Sequence, residues 1–207
     1  MKILIGQPKL EDDVKQLEEA LQLYQEAELA FFPEGYLNDH VEKARELAKA
    51  YQVTLITGYR KFDENPKDQV IIIDKSGEIL LDRPKYTAKK TVKANGCNLG
   101  VILCDELVLQ GLDGVQKGDI DILFHPIGVG MFSKEQYDEW IHVAQQLARD
   151  YGCIVVGTSH ADGSYQDNPV SIPITYLIGA DGELIKATQH KTGNELVSIV
   201  DNKPILY

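Results

Sequence analysis

Three residues of this 207-residue chain could together perform covalent catalysis: Glu34, Lys85 and Cys104. Each closes a stretch that reads as a strand or hairpin. Phe31-Phe32-Pro33-Glu34-Gly35-Tyr36 puts a carboxylate just past a strand, and Asp82-Arg83-Pro84-Lys85-Tyr86 puts an ammonium just past a hairpin. Val101-Ile102-Leu103-Cys104-Asp105-Glu106 puts a thiol at a strand end, ahead of a helix. In layered α/β folds, reactive groups gather at the carboxyl ends of strands, where loops open into a cleft. A thiol must become a thiolate to attack, helped by a nearby base or a helix N-terminus. Glu34 is the candidate base. Lys85 and a backbone N–H near Asp105 are the candidate donors to the oxyanion of a tetrahedral intermediate. That set supplies nucleophile, base and stabiliser without a histidine. Taken singly, the cysteine reads as a small core hydrophobe, the glutamate as a solvated turn acid and the lysine as a surface cation. Their order and shared strand-end placement carry the joint assignment.

Further residues are candidates for substrate contact. His125 follows a strand and precedes Pro126-Ile127-Gly128, and His160 follows Val155-Val156-Gly157-Thr158-Ser159. Tyr36, Phe132 and Tyr165 could wall a pocket. Hydrogen-bonded loop histidines and core aromatics are the ordinary alternatives. No spacing supports a metal site, although His125, His160 and an Asp leave one open, and Gly128-Val129-Gly130 lacks the rest of a dinucleotide fingerprint.

The elements that must position these groups alternate strand and helix. Residues 2–6 read as a strand, and Val14, Leu17, Leu21 and Tyr24 recur at helical spacing over roughly 11–27. Leu29 to Phe32 is a strand stopped by Pro33; Asn38-Asp39 opens a helix whose inner face is Val41, Ala44, Ala48 and Tyr51; Val53 to Thr57 is the next strand. Val70–Ile73 and Ile79–Leu81 flank the turn Asp74-Lys75-Ser76-Gly77. Residues 83–98 read as loop, Leu99 to Leu103 as a strand ending at Cys104, and Ile120 to Phe124 as another. Ser133 with Gln136 signals a capping box opening a helix over about 134–150, and Ile154-Val155-Val156 a buried strand. Strands near 173–178, 184–188 and 196–200 close the chain. Each half carries strand–helix units and then a hairpin, Asp-Lys-Ser-Gly-Glu-Ile at 74–79 or Gly-Ala-Asp-Gly-Glu-Leu at 179–184. Two similar halves packed as one domain, 1–207, with two sheets face to face and helices outside, are the expectation.

Bulk properties narrow the class. The chain is 43% hydrophobic and 26% charged, as soluble globular domains are. A net charge of −11 repels phosphate backbones and anionic membranes, so no nucleic-acid or membrane partner is expected. No apolar run approaches the roughly 20 residues of a membrane span, and Met1 to Gly6 is too short for a signal-peptide core. Cys97, Cys104 and Cys153 form no disulfide framework, so a reducing cytoplasm is expected.

In order, the segments Pro33-Glu34, Asp74 to Lys85 and Gly100-Val101-Ile102-Leu103-Cys104 resemble those of the nitrilase, or carbon–nitrogen hydrolase, superfamily. The likeness continues through Asp121 to Pro126, the Trp140 helix, Cys153 to Thr158 and Asp181-Gly182-Glu183, nearly the whole chain. The resemblance implies an α-β-β-α sandwich, a homodimer or larger assembly, no cofactor, and a small amide, or secondarily a nitrile, as substrate. It implies Glu34 as base, Lys85 as oxyanion stabiliser and Cys104 as the nucleophile that forms a thioester, which water then hydrolyses. The chain is short for that family, with trimmed loops. Many members carry a second glutamate between lysine and cysteine, whereas residues 86–103 contain no acid and hold Lys89, Lys90 and Lys93. After the nucleophile an aromatic residue is usual; here Asp105 and Glu106 follow. A non-catalytic binding protein on the same scaffold, and an amide-forming acyltransferase, therefore stay open as alternatives.

Overall fold

Aliphatic residues alternate along most strands, and that alternation decides how the layers stack. The computed structural model describes every residue except Lys89, His190, Lys191, Asp201, Asn202 and Tyr207. The first half holds β1 (Lys2–Ile5), α1 (Lys15–Leu23), β2 (Leu29–Phe31), α2 (Val41–Tyr51), β3 (Thr54–Arg60), β4 (Asp68–Ile73) and β5 (Ile79–Pro84). The second holds β6 (Thr91–Ala94), β7 (Cys97–Val101), α3 (Glu106–Leu109), β8 (Ile122–Pro126), α4 (Lys134–Tyr151), β9 (Ile154–Thr158), β10 (Ile174–Ile178) and β11 (Leu184–Gln189), and β12 (Glu195–Val200) and β13 (Lys203–Leu206) follow.

The strands form two sheets, ordered β13-β12-β1-β2-β3-β4-β5 and β11-β10-β9-β8-β7-β6. In each, three strands run parallel, β1-β2-β3 or β7-β8-β9, and a hairpin adds two antiparallel strands at one side. The hairpin echo at 74–79 and 179–184 thus marks equivalent corners of two similar sheets. Ile3, Ile5, Phe31 and Ile56 of one sheet meet Val101, Phe124 and Val156 of the other in an inner core, where the Phe31 and Phe124 rings lie 5.0 Å apart. The alternate residues Leu4, Ala30 and Leu55 face outward under α1 and α2. Leu123, Val155 and Tyr176 do the same under α4, which presents Tyr137, Trp140, Ile141 and Ala144. This is the four-layer α-β-β-α sandwich. No described helix is long and apolar enough to cross a membrane.

Several boundaries move. Residues 83–98, read as loop, contain all of β6 and the first residues of β7, paired from Thr91↔Gly100 to Ala94↔Cys97. β6 is a half-exposed edge strand with no apolar run, so hydrophobic pattern misses it. Its signal is the turn Asn95-Gly96, both at positive φ, 51° and 77°, which is the chemistry of a tight hairpin. Asn38-Asp39 does not open α2. Asn38 is itself left-handed at φ 48°, and its side chain binds Glu11 O and Arg60 instead of capping. α1 is shorter than 11–27, because Glu11 is drawn to Tyr36 and Gln16. The strand before Cys104 ends at Val101, three residues short of the thiol. Ser133 does cap α4, accepting from Gln136 N at 3.1 Å, while Gln136 Oε1 accepts from Phe132 N at 2.9 Å.

Candidate active site

Glu34 leaves the end of β2 in a loop tied to β3. Pro33 O accepts from Thr57 Oγ1 at 2.9 Å and from Gly58 N at 3.3 Å. The loop approaches β3 so closely that a Cβ on Gly58 would lie 2.6 Å from Gly35 N. From the far side His160 Nε2 meets Glu34 O at 3.3 Å. The carboxylate is thereby turned inward and left 8% exposed.

Lys85 follows β5 directly, and Cys104 follows β7. Both loops use left-handed residues, Tyr86 at φ 68° and Cys104 at φ 44°. Such a conformation costs a non-glycine residue about 1–3 kcal/mol and persists only where surroundings enforce it. Here the enforcer is Glu106. Its fully buried carboxylate accepts from Tyr86 N in one loop and from Leu103 N, at 2.6 Å, in the other. Arg83 locks Glu106 with two 2.8 Å bonds and also donates to Val101 O at 2.9 Å. Cys104 is held further through its own backbone, with its N–H on Pro126 O and its carbonyl on His125 Nε2 at 2.7 Å. A carbonyl only accepts, so Nε2 carries the proton and Nδ1 accepts from Tyr176 OH.

These supports bring the three expected groups together. Lys85 Nζ lies 2.9 Å from Glu34 Oε1 and 2.8 Å from Asp105 Oδ1. The first approach is off the hydrogen-bonding direction, so Oε1 is charge-compensated but has no aligned donor among the described residues. The Cys104 thiol lies beside the Glu34 carboxylate and the Gly128 N–H, close enough for both to act on it electrostatically. Burial raises the Glu34 carboxyl above its ordinary range, with Lys85 opposing. Burial, then the Glu34 charge, pushes the half-buried Cys104 thiol well up, against Lys85 and the Gly128 N–H. Burial alone would lower the Lys85 ammonium, but Glu34, Cys104 and Asp105 outweigh it and hold the group cationic. The resting pair is therefore a thiol beside a carboxylate of raised basicity, with a fixed cation against that carboxylate. Such a set can pass the thiol proton to Glu34 as sulfur attacks, while the ammonium neutralises charge developing on the substrate.

The groups line a cavity of about 500 Å³ with Arg60, Asp68, Phe132, Gln136, Trp140 and Tyr165 among its walls. Cavities of about 520 and 730 Å³ elsewhere have no cysteine among their lining residues. Of the expected substrate contacts, Phe132 lines the cavity; Tyr36, His125 and His160 do not. Tyr36 is buried under α1, its hydroxyl donating to Glu11 at 2.6 Å and accepting from Leu17 N at 2.9 Å. His125 and His160 are second-row supports behind Cys104 and Glu34, and burial holds each imidazole down to about 4, so both are neutral. The backbone N–H of Asp105 has no protein acceptor among the described residues, as an oxyanion donor requires. A helix dipole adds little there, because α3 is only four residues long. Sequence reasoning missed the Asp105 side chain, the Arg83–Glu106 clasp and the Arg60–Asp68 pair at 3.4 Å. The first two had a signal, since an acid follows the nucleophile at both 105 and 106. No group of three described His, Cys, Asp or Glu residues is placed to hold a metal ion.

Gly128 offers a direct probe of this packing. A Cβ there would stand 2.9 Å from Glu34 Oε2. Gly128→Ala is expected to displace the carboxylate and lower kcat/KM by about 10²-fold, as misplacement by an ångström does, with little change in the urea midpoint.

No protein-family model matches the sequence, and no curated protein does. Solved structures share the fold. The NitN amidase of Neterenkonia sp. AN1 superposes with a TM-score of 0.78 at 14% identity, covering 97% of this chain and 93% of that one. A carbon–nitrogen hydrolase from Helicobacter pylori G27 gives 0.71 at 16% identity, covering 94% and 87%. A carbon–nitrogen hydrolase superfamily protein from Xanthomonas campestris, with an arsenic adduct in its active site, gives 0.74 at 12% identity, covering 95% and 89%.

Proposed function

We propose, from a fold shared with carbon–nitrogen hydrolases, that this protein hydrolyses the carbon–nitrogen bond of a small amide through a thioester on Cys104. The observation that carries this reading is that Glu34, Lys85 and Cys104 line one cavity, with Lys85 Nζ 2.9 Å from Glu34 Oε1. Cys104 Sγ attacks the amide carbon while Glu34 takes the thiol proton. The oxyanion is met by Lys85 and the Asp105 N–H. Glu34 passes the proton to nitrogen, the C–N bond breaks and ammonia or an amine leaves. Water then adds to the thioester as Glu34 accepts its proton, the C–S bond breaks to release the acid, and Glu34 returns the proton to sulfur, restoring the thiol. Glu34 thus cycles one proton per half-reaction, which its raised basicity suits.

The experiment is an ammonia assay on a panel of short aliphatic amides, with intact-mass detection of an acyl adduct. The expected result is ammonia release with an adduct mapped to Cys104, and loss of both in Cys104→Ala. Turnover that survives Cys104→Ala sinks the reading. A thiol no more reactive than free cysteine toward iodoacetamide, with no turnover, favours a binding protein on this scaffold. Diversion of product to the hydroxamate by hydroxylamine measures how far amines compete with water.

A further inference from the structure

Lys85 is flanked by two carboxylates, and only one is needed as the base. The other, Asp105, stands next to the nucleophile in the chain, and its Oδ1 lies 2.8 Å from Lys85 Nζ. The Tyr86 hydroxyl donates to the same carboxylate, 3.1 Å from Oδ1 and 2.9 Å from Oδ2. The Lys85 charge and the Tyr86 donor thus hold the carboxylate in one place. Unlike Glu34, 8% exposed, the Asp105 side chain is 37% exposed and lines the cavity beside Cys104. A carboxylate has about four lone-pair sites, so it retains capacity to accept. Among the other charged walls, Asp68 is paired with Arg60, and Glu34 is paired with Lys85 and serves as the base.

We propose that Asp105 is a further catalytic residue: its carboxylate accepts an N–H of the scissile carboxamide and so selects amides over esters. The inference rests on the hydrolase reading above. A carboxamide enters with its oxygen toward Lys85 and the Asp105 N–H and its nitrogen toward the Asp105 carboxylate. An ammonium has three donors, so contact with two carboxylates leaves one for the substrate oxygen. As Glu34 delivers its proton to nitrogen, that nitrogen becomes cationic, and the fixed negative charge stabilises it before the C–N bond breaks. Asp105 gains and loses no proton in this cycle. An ester presents neither an N–H nor a developing ammonium, so it gains nothing from the carboxylate.

The test compares acetamide, propionamide and butyramide with their methyl esters in wild type and Asp105→Asn. The expected result is a fall of at least tenfold in the amide-to-ester ratio of kcat/KM, the size of a lost charge-assisted hydrogen bond, with a KM change smaller than the kcat change. An unchanged ratio, whether both activities persist or both fall in parallel, overturns the assignment and leaves Asp105 as a positioning residue for Lys85. A binding measurement guards against loss of turnover alone: in Cys104→Ala, butyramide binds more tightly than methyl butyrate, and adding Asp105→Asn removes that preference. Equal binding of both probes in Cys104→Ala also overturns it. Wild type that forms no Cys104 adduct with any amide or ester overturns the hydrolase reading itself, a result distinct from an unchanged ratio.

Discussion

Replacing Glu34 by glutamine is expected to lower amide turnover by about 10²–10⁴-fold, the range for a lost general base, while making Cys104 easier to ionise. The two effects diverge because Glu34 does two things to the thiol. Its charge raises the thiol, second only to burial, and its oxygen is the proton acceptor. Glutamine removes both and keeps the shape. Lys85 and the Gly128 N–H then act on sulfur without that opposing charge, so the pH midpoint of iodoacetamide alkylation shifts downward. Turnover within threefold of wild type would show that Glu34 is not the base. Stability separates this from misfolding. A carboxyl whose folded value is raised contributes stability below its unfolded value and loses it as pH rises through the folded one. Charged Glu34 is therefore a burden at neutral pH, and Glu34→Gln is expected to melt no lower than wild type at pH 7, since Lys85 keeps Asp105.

The largest stability effect is expected at Glu106. Glu106→Ala leaves Arg83, 3% exposed, without its counter-charge, and breaking such a buried pair costs about 3–5 kcal/mol. It also removes the acceptor that holds Tyr86 N and Leu103 N, so the Lys85 and Cys104 loops are expected to relax and activity to fall with stability. The double replacement Arg83→Met with Glu106→Leu separates the two. Urea unfolding should recover much of the loss, because a packed apolar pair can equal a buried ion pair. Activity should not recover, because neither loop regains its anchor. Full activity in the double variant would show that the clasp serves folding alone. The pH dependence follows from the same group. Burial would raise the Glu106 carboxyl, but Arg83 and the two backbone N–H groups overcome it and hold it low. Its contribution is therefore present above the usual glutamate value and lost as pH falls through the depressed one. Glu106→Ala should show a shallower acid-side loss of stability than wild type.

What could be read in the chain and what could not divides along the range of the interactions. Strand and helix periodicities are local, so the alternation of Ile3, Leu4 and Ile5, the turns at 74–77 and 179–182 and the Ser133 cap were enough to anticipate two similar sheets under outer helices. The order Glu34, Lys85, Cys104 was likewise legible, because each sits just past a strand and the three residue types make one kind of chemistry. β6 was not, because an edge strand needs no apolar face. The assignment of walls was mostly not legible either. Tyr36 and His125 are closer in sequence to the reactive groups than Phe132 is, and His160 is farther, yet only Phe132 of the four lines the cavity. A side chain's direction depends on backbone turns such as Gly35 at φ 68° and on partners more than 20 residues distant, such as Glu11 for Tyr36 and Tyr176 for His125.

Asp105 and Glu106 show the limit most clearly. As neighbours after a cysteine they read alike, two acids where an aromatic residue would be usual. The left-handed turn at Cys104 sends one carboxylate into the cavity against Lys85 and the other into the interior against Arg83. Fold class and the residue types able to do covalent chemistry were legible in the chain, since both follow from local pattern and chain order. Which acid faces the cavity and which clasps the loops is settled by contacts of Lys85 and Arg83, at the end of β5, with the turn that follows β7, a strand of the other sheet.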